Sequence, residues 1–144
     1  MVHSNVRLKI AMQIVELKKK LADAGCSPAH YEIGTGGSDV YCLNNDGTKW
    51  NIFYTERGTD SEPIFSSESE SEACEFFLQH MCKQPNWHLV GVFQTEAEAE
   101  AEERKVKRLG AVPIRNDLPE SIMGTPQFRI FVAGRDIHYV NPRN

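Results

Sequence analysis

The tetrapeptide Asn44-Asn45-Asp46-Gly47 constrains this chain more than any other stretch. Asx residues ending in glycine, set between two β-rich runs, form the strongest short-range hairpin signal available. On one side lies Asp39–Leu43. On the other lies Lys49–Tyr54, where Trp50, Ile52 and Tyr54 alternate with Asn51 and Phe53. A hairpin here requires antiparallel strands. Tyr31–Ile33 is predicted as a strand before it, with Gly34-Thr35-Gly36-Gly37 as the intervening turn. These glycines do not spell GxGxxG and do not pass from strand to helix, so they are turn residues and not a phosphate loop.

Helical periodicity frames the strands. Val6, Ile10, Ile14, Leu17 and Leu21 recur at steps of three and four, predicting a helix over 4–24 that ends at Gly25, with Lys18, Lys19 and Lys20 suiting its negative end. Glu56-Arg57-Gly58 closes the hairpin strand, and a polar loop leads to Pro63-Ile64-Phe65. Ser67 with Glu70 has the spacing of a capping box, predicting a second helix over 68–82. His88–Phe93 reads as a strand. Thr95 with Glu98 forms another capping box, opening a helix that Gly110 terminates. Ala111–Ile114 reads as a short strand, 116–127 as a loop, and Phe128–Val132 with Asp136–Val140 as a terminal hairpin. Residues 65–73 can be laid over 93–101 at an offset of 28, though two local solutions to one strand-to-helix turn account for this as well as duplication does.

The expected fold is therefore α+β: a single domain over 1–144, with a largely antiparallel sheet, about three helices, and sub-halves at 1–85 and 86–144. At 144 residues with 40% hydrophobic content, such a chain buries a proper core without staples. Cys26, Cys42, Cys74 and Cys82 show no CxxC or regular framework and are expected as reduced thiols. Cys74 and Cys82 are placed on one helix face. No apolar run reaches the length of a membrane span and no leader-like segment opens the chain, so a cytoplasmic location is expected.

The carboxylates are unevenly placed. Glu56, Asp60, Glu62, Glu68, Glu70, Glu72 and Glu75 form one cluster; Glu96, Glu98, Glu100, Glu102 and Glu103 form another. These twelve are more than half of the 20 acidic residues. Helix-start acids complement the dipole, but pairs such as Glu68 with Glu72 repel each other at i,i+4. A surface that carries such repulsion is a candidate landing site for a basic partner. A net charge of −4 argues against phosphate neutralisation as the working principle, so no nucleic-acid partner is expected. Arg104–Arg108 reads as i,i+4 pairing with the acids before it. His3, His30, His80, His88 and His138 fall in no metal-ligand spacing, and no nucleophile motif is present. No metal, cofactor or catalytic residue is expected.

The run Asp46-Gly47-Thr48-Lys49-Trp50, then Tyr54-Thr55-Glu56-Arg57-Gly58, then Glu72-Ala73-Cys74-Glu75-Phe76-Phe77 resembles immunity proteins of bacterial polymorphic toxin systems, including contact-dependent inhibition. The resemblance covers roughly 28–82. It implies a small cytosolic protein, not an enzyme, that neutralises a cognate toxin by masking its active site or an essential surface. A nuclease-type toxin with a basic cleft would suit an acidic inhibitor. The expected partner-binding residues are Asp60, Glu62, Glu68, Glu70, Glu72 and Tyr54. Trp50 is a further aromatic candidate, and core packing is the other reading of both Trp50 and Tyr54. Two alternatives stand beside this one: a non-catalytic adaptor module, and a small enzyme using a carboxylate pair such as Glu56 and Asp60.

Overall fold

In the computed structural model, which describes residues 12–34, 37–120 and 124–142, Asp46 organises the expected turn. Its carboxylate accepts the Thr48 backbone N–H at 2.9 Å, the Thr48 hydroxyl at 2.7 Å, the Lys49 N–H at 3.0 Å and the Asn51 amide at 2.9 Å. These donors, the Thr48 backbone first, hold the carboxyl well below the usual range. Gly47 takes the left-handed φ of 103°. Strands β1 (Tyr31–Ile33), β2 (Val40–Asn45) and β3 (Trp50–Glu56) follow in order, and β2 pairs antiparallel with β3, with Tyr41 opposite Tyr54 and Leu43 opposite Ile52.

β1 runs parallel to β2, and Thr35 and Gly36 of the stretch between them lie outside the described residues. The rest of this sheet departs from expectation in one place. The polar loop expected after Gly58 begins instead as strand β4 (Thr59–Asp60), which returns on β3. Arg57 and Gly58, at φ 53° and 83°, form the kind of two-residue turn whose twist matches paired strands. Strand β5 (Phe65–Ser67) also pairs with β3. Both faces of β3 are buried: Ile52 on one, and Asn51, Phe53 and Thr55 on the other, where Phe53 joins Val40 and Cys42.

Helix α1 (Ile14–Asp23) is shorter than the helix expected over 4–24: Met12 and Gln13 are not helical, so the helix begins at Ile14, where a distant side chain takes its first N–H; Val6 and Ile10 lie outside the described residues. Helix α2 (Glu70–Cys82) starts two residues later than its apparent capping box. Ser67 stays in β5 opposite Trp50, so Ser69 becomes the cap and accepts the Glu72 N–H at 3.1 Å. Ser67 accepts the Ser69 N–H at 3.0 Å and donates its hydroxyl to Glu72 at 2.6 Å. Leu17 and Leu21 of α1, and Ala73, Cys74, Phe77 and Met81 of α2, are fully buried, and α2 packs on β3 and β5. None of the four cysteines is disulfide-bonded; Cys26, Cys42 and Cys74 are buried but Cys82 is exposed. Eight residues turn a helix about 80° past two full turns, which takes Cys82 off the face that Cys74 occupies.

A second sheet forms from β6 (Trp87–Phe93), β7 (Ile114–Arg115) and β8 (Phe128–Ala133), in the order β6-β8-β7 and antiparallel throughout. Helix α3 (Glu96–Arg108) carries the expected Thr95–Glu98 capping box and ends before Gly110, at φ 102°. The two helix caps, Ser69 and Thr95, are 26 residues apart, so the offset of 28 does not superpose these helix starts. The expected terminal hairpin does not form. Both edges of β8 are already occupied by β6 and β7, and the chain passes through a short 3-10 turn into α4 (Ile137–Val140). There Ile137 and Val140 pack on Val106, Ala111 and Val132.

Among the described residues, those up to Ala22 with those of His30–Lys83 form one compact unit, and Asp23–Ala29 with those from Gln84 onward form the other. The short segment Asp23–Ala29 is held to the second unit by polar bonds. The His88 ring nitrogen Nε2 lies 2.7 Å from the Gly25 carbonyl, and the Ser27 N–H donates to Asn86 at 3.0 Å. The fold class is α+β, with eight strands in two mostly antiparallel sheets and four helices among the described residues, one more than expected.

Candidate functional site

Five half-buried rings form a row in the first unit, and the register explains each step. Phe65 stacks on Phe76 at 4.4 Å, and Phe76 lies parallel to the His80 ring at 6.0 Å. Phe76 and His80 are i,i+4 on α2 and so share a face. His80 meets Tyr41 edge-on at 4.6 Å, and Tyr41 meets Tyr54, its cross-strand partner, at 4.8 Å. Burial, with a smaller push from Lys83, holds His80 below the usual histidine value, favouring the neutral ring.

The row ends at the β3–β4 turn. Tyr54, Glu56, Arg57, Thr59, Asp60 and Ser61 line an open cavity of about 370 Å³. Backbone bonds fix this edge: the Ser61 N–H donates to the Tyr54 carbonyl at 2.8 Å, and the Tyr54 N–H donates to the Ser61 hydroxyl at 3.0 Å. The Arg57 N–H donates to Asp39 at 3.2 Å. Burial, then the carboxylates of Asp39 and Glu56, hold the Tyr54 phenol above its ordinary value, so it stays neutral and able to donate.

The expected contact residues separate into two groups. Asp60, Glu62 and Glu68 are exposed and have no ion-pair partner among the described residues. Glu70 and Glu72 serve the fold. Glu70 accepts the Ile14 N–H at 3.0 Å and so caps α1, beside a Met12 N–H bond to Ser71 at 3.1 Å. Glu72 takes the Ser67 hydroxyl. Tyr54 and Asp60 come together on the cavity; Trp50 stands at the far end of β3, opposite Asn45 and Ser67.

The second acidic cluster has a different account. The Arg115 guanidinium lies 2.9 Å from Glu96, 2.8 Å from Glu103 and 2.8 Å from Asp117, with its charge 5.7 Å from the Phe128 ring centre. Arg115 is held above the ordinary arginine value by hydrogen bonds to Asp117 and Glu96, and Asp117 is held below the usual carboxylate value by Arg115. Nothing local in the sequence marks Arg115, because its helix partners lie 12 and 19 residues away. The expected i,i+4 pairing along α3 is absent: Arg104, Lys105, Lys107 and Arg108 are exposed and make no ion pair among the described residues. Arg115 takes two of the acids, and exposed helix pairs gain too little to hold long side chains in place.

Among the described residues, no group of three or more His, Cys, Asp and Glu side chains is placed to hold a metal ion. No helix among them is long and apolar enough to cross a membrane. Comparison with protein-family models, with curated proteins and with solved structures gives no match.

Proposed function

We propose that this chain is a cytosolic protein inhibitor that binds a cognate toxin through the β3–β4 edge, masking a basic active site or essential surface on that partner. The observation that carries the reading is the meeting of Tyr54 and Asp60 on one open cavity, at the end of a row of half-buried rings. Aromatic anchors supply contact area at low entropic cost, and surrounding carboxylates steer a cationic surface toward them. Glu62 and Glu68 add negative charge that no described residue neutralises. In this reading the contact set is Tyr54, Asp60, Glu62 and Glu68, and Glu70 and Glu72 act by shaping the helix starts.

A pull-down with tagged protein from its native host tests the proposal. The expected result is one tightly held partner with a basic surface, whose toxicity the protein suppresses at equimolar ratio. Recovery of no partner, together with turnover of a small substrate by the purified protein, would overturn it.

A further inference from the structure

The second unit carries a patch whose chemistry is the counterpart of the acidic edge. Arg104, Lys105, Lys107 and Arg108 crowd the last turns of α3 without an ion-pair partner among the described residues. Directly after them Leu109 is 42% exposed and Val112 69%, and Tyr139, 55% exposed, packs its ring over Gly110. The Val112 N–H donates to Asp136 at 2.9 Å, which pins this loop to the turn before α4. Exposed apolar side chains directly after a run of cations, on a fixed loop, make a docking surface for an occupant that is acidic and partly apolar. The acidic edge of the first unit fits that description. Asp60, Glu62 and Glu68 are unpaired there, Tyr54 is half-buried, and Ile64 is 44% exposed.

We propose that the occupant is a second copy of this chain, docked head to tail, with the basic end of α3 from one molecule against the Asp60–Glu68 edge of the next. The proposal rests on the reading of that edge as the partner surface, and it adds a regulatory consequence. The chain's own basic patch stands in for the cationic surface of the partner, so self-association and partner binding compete for one site. The contact is heterologous, pairing one patch with a different one on the next copy. Like-charged alternatives, edge against edge or α3 end against α3 end, are repulsive.

The experiment is sedimentation velocity on purified full-length protein across a concentration series at low and high salt. The average mass should climb with concentration at low ionic strength and fall back to the monomer as salt screens the contact. Lys105→Glu with Arg108→Glu, and Glu62→Lys with Glu68→Lys, should each give monomers of unchanged circular dichroism. An equimolar mixture of the two variants should associate again, because the reversed edge of one now meets the reversed α3 end of the other. Wild-type protein that stays monomeric at every concentration in low salt, or association that survives both reversals, would overturn the proposal. The pull-down separates it from the functional reading. A monomeric protein that still captures a basic partner defeats only self-association, and a self-associating protein whose Lys105→Glu/Arg108→Glu monomer captures nothing defeats only the inhibitor.

Discussion

The Glu70 carboxylate accepts the backbone N–H of Ile14 at 3.0 Å, so the first turn of one helix caps the first turn of another 56 residues earlier. Helix N-termini leave donors without intrahelical partners, and an acid placed against them also meets the positive end of the dipole. Glu70→Ala should therefore destabilise the protein by about 0.5–2 kcal/mol, while Glu68→Ala, whose side chain makes no such bond, should change stability by less than about 0.5 kcal/mol. Urea denaturation of both variants checks this, and equal losses would remove Glu70 from its capping role.

Arg115 holds three carboxylates that would otherwise repel one another. Replacing it by methionine keeps an unbranched side chain but strips the charge, and should cost about 1–3 kcal/mol near pH 7. The pH dependence follows from Asp117, whose folded pKa Arg115 depresses below its ordinary 3.8. Such a group contributes stability that is present above the unfolded value and is lost as pH falls through the folded one. In Arg115→Met that contribution is gone. The stability gap between wild type and variant should therefore narrow as pH drops from 6 toward 3. Thermal denaturation at stepped pH measures it, and a constant gap would place the effect in packing and not in charge.

What was legible in advance were the signals whose partners lie close in the chain. Asp46-Gly47 needs only Thr48, Lys49 and Asn51 to form its turn, and Thr95 needs only Glu98. The errors come where a distant residue decides between local options. Ser67 and Ser69 are equally good caps in isolation, and the pairing of Ser67 with Trp50 selects Ser69. Ile137 to Val140 would suit a strand, but β8 has no free edge to receive it. For the site, the β3–β4 hairpin that brings Tyr54 and Asp60 together is not announced by the sequence, which reads as a polar loop after Gly58. The bond from Ile14 to Glu70 spans 56 residues and so leaves no local mark, and the ring row depends on the register of α2 over the sheet.

Glycine positions with left-handed backbone should divide by their surroundings. At Gly25, φ is 82° and an added Cβ would lie 2.4 Å from the Arg135 nitrogen, so Gly25→Ala must move backbone as well as strain it. At Gly47, φ is 103° with nothing within 4 Å, leaving only the conformational term of about 1–2 kcal/mol. Gly25→Ala should be the more damaging of the two in denaturant titration. It should also loosen the His88–Gly25 bond, visible as a shifted His88 ring resonance.

Thiol chemistry offers a direct reading of burial. The thiolate is the reactive form, and burial pushes Cys74 up to about 11 and raises Cys42 above its ordinary value. Cys26 is buried as well, and Cys82 alone is exposed. In native conditions at neutral pH, a colorimetric thiol reagent should modify one cysteine rapidly and the other three only as fast as the structure opens. Cys82→Ser should abolish the fast phase, and a surviving fast phase would mean one of the buried thiols is accessible.

The acidic edge should act on the rate at which the partner arrives. Long-range attraction between Asp60, Glu62 and Glu68 and a cationic surface accelerates encounter, and screening weakens it with a Debye length of about 10 Å at 0.1 M salt. Glu62→Gln with Glu68→Gln should slow association severalfold and flatten its salt dependence, leaving dissociation nearly unchanged. Tyr54→Ala should do the reverse, accelerating dissociation about tenfold or more as expected for loss of a central aromatic anchor. Tyr54→Phe separates ring from hydroxyl: it keeps the edge contact with Tyr41 at 4.8 Å and removes only the hydroxyl. Surface plasmon resonance with the captured partner resolves the two rates. If the charge variants changed dissociation alone, the carboxylates would be contact residues held against the partner, and steering would not be their role.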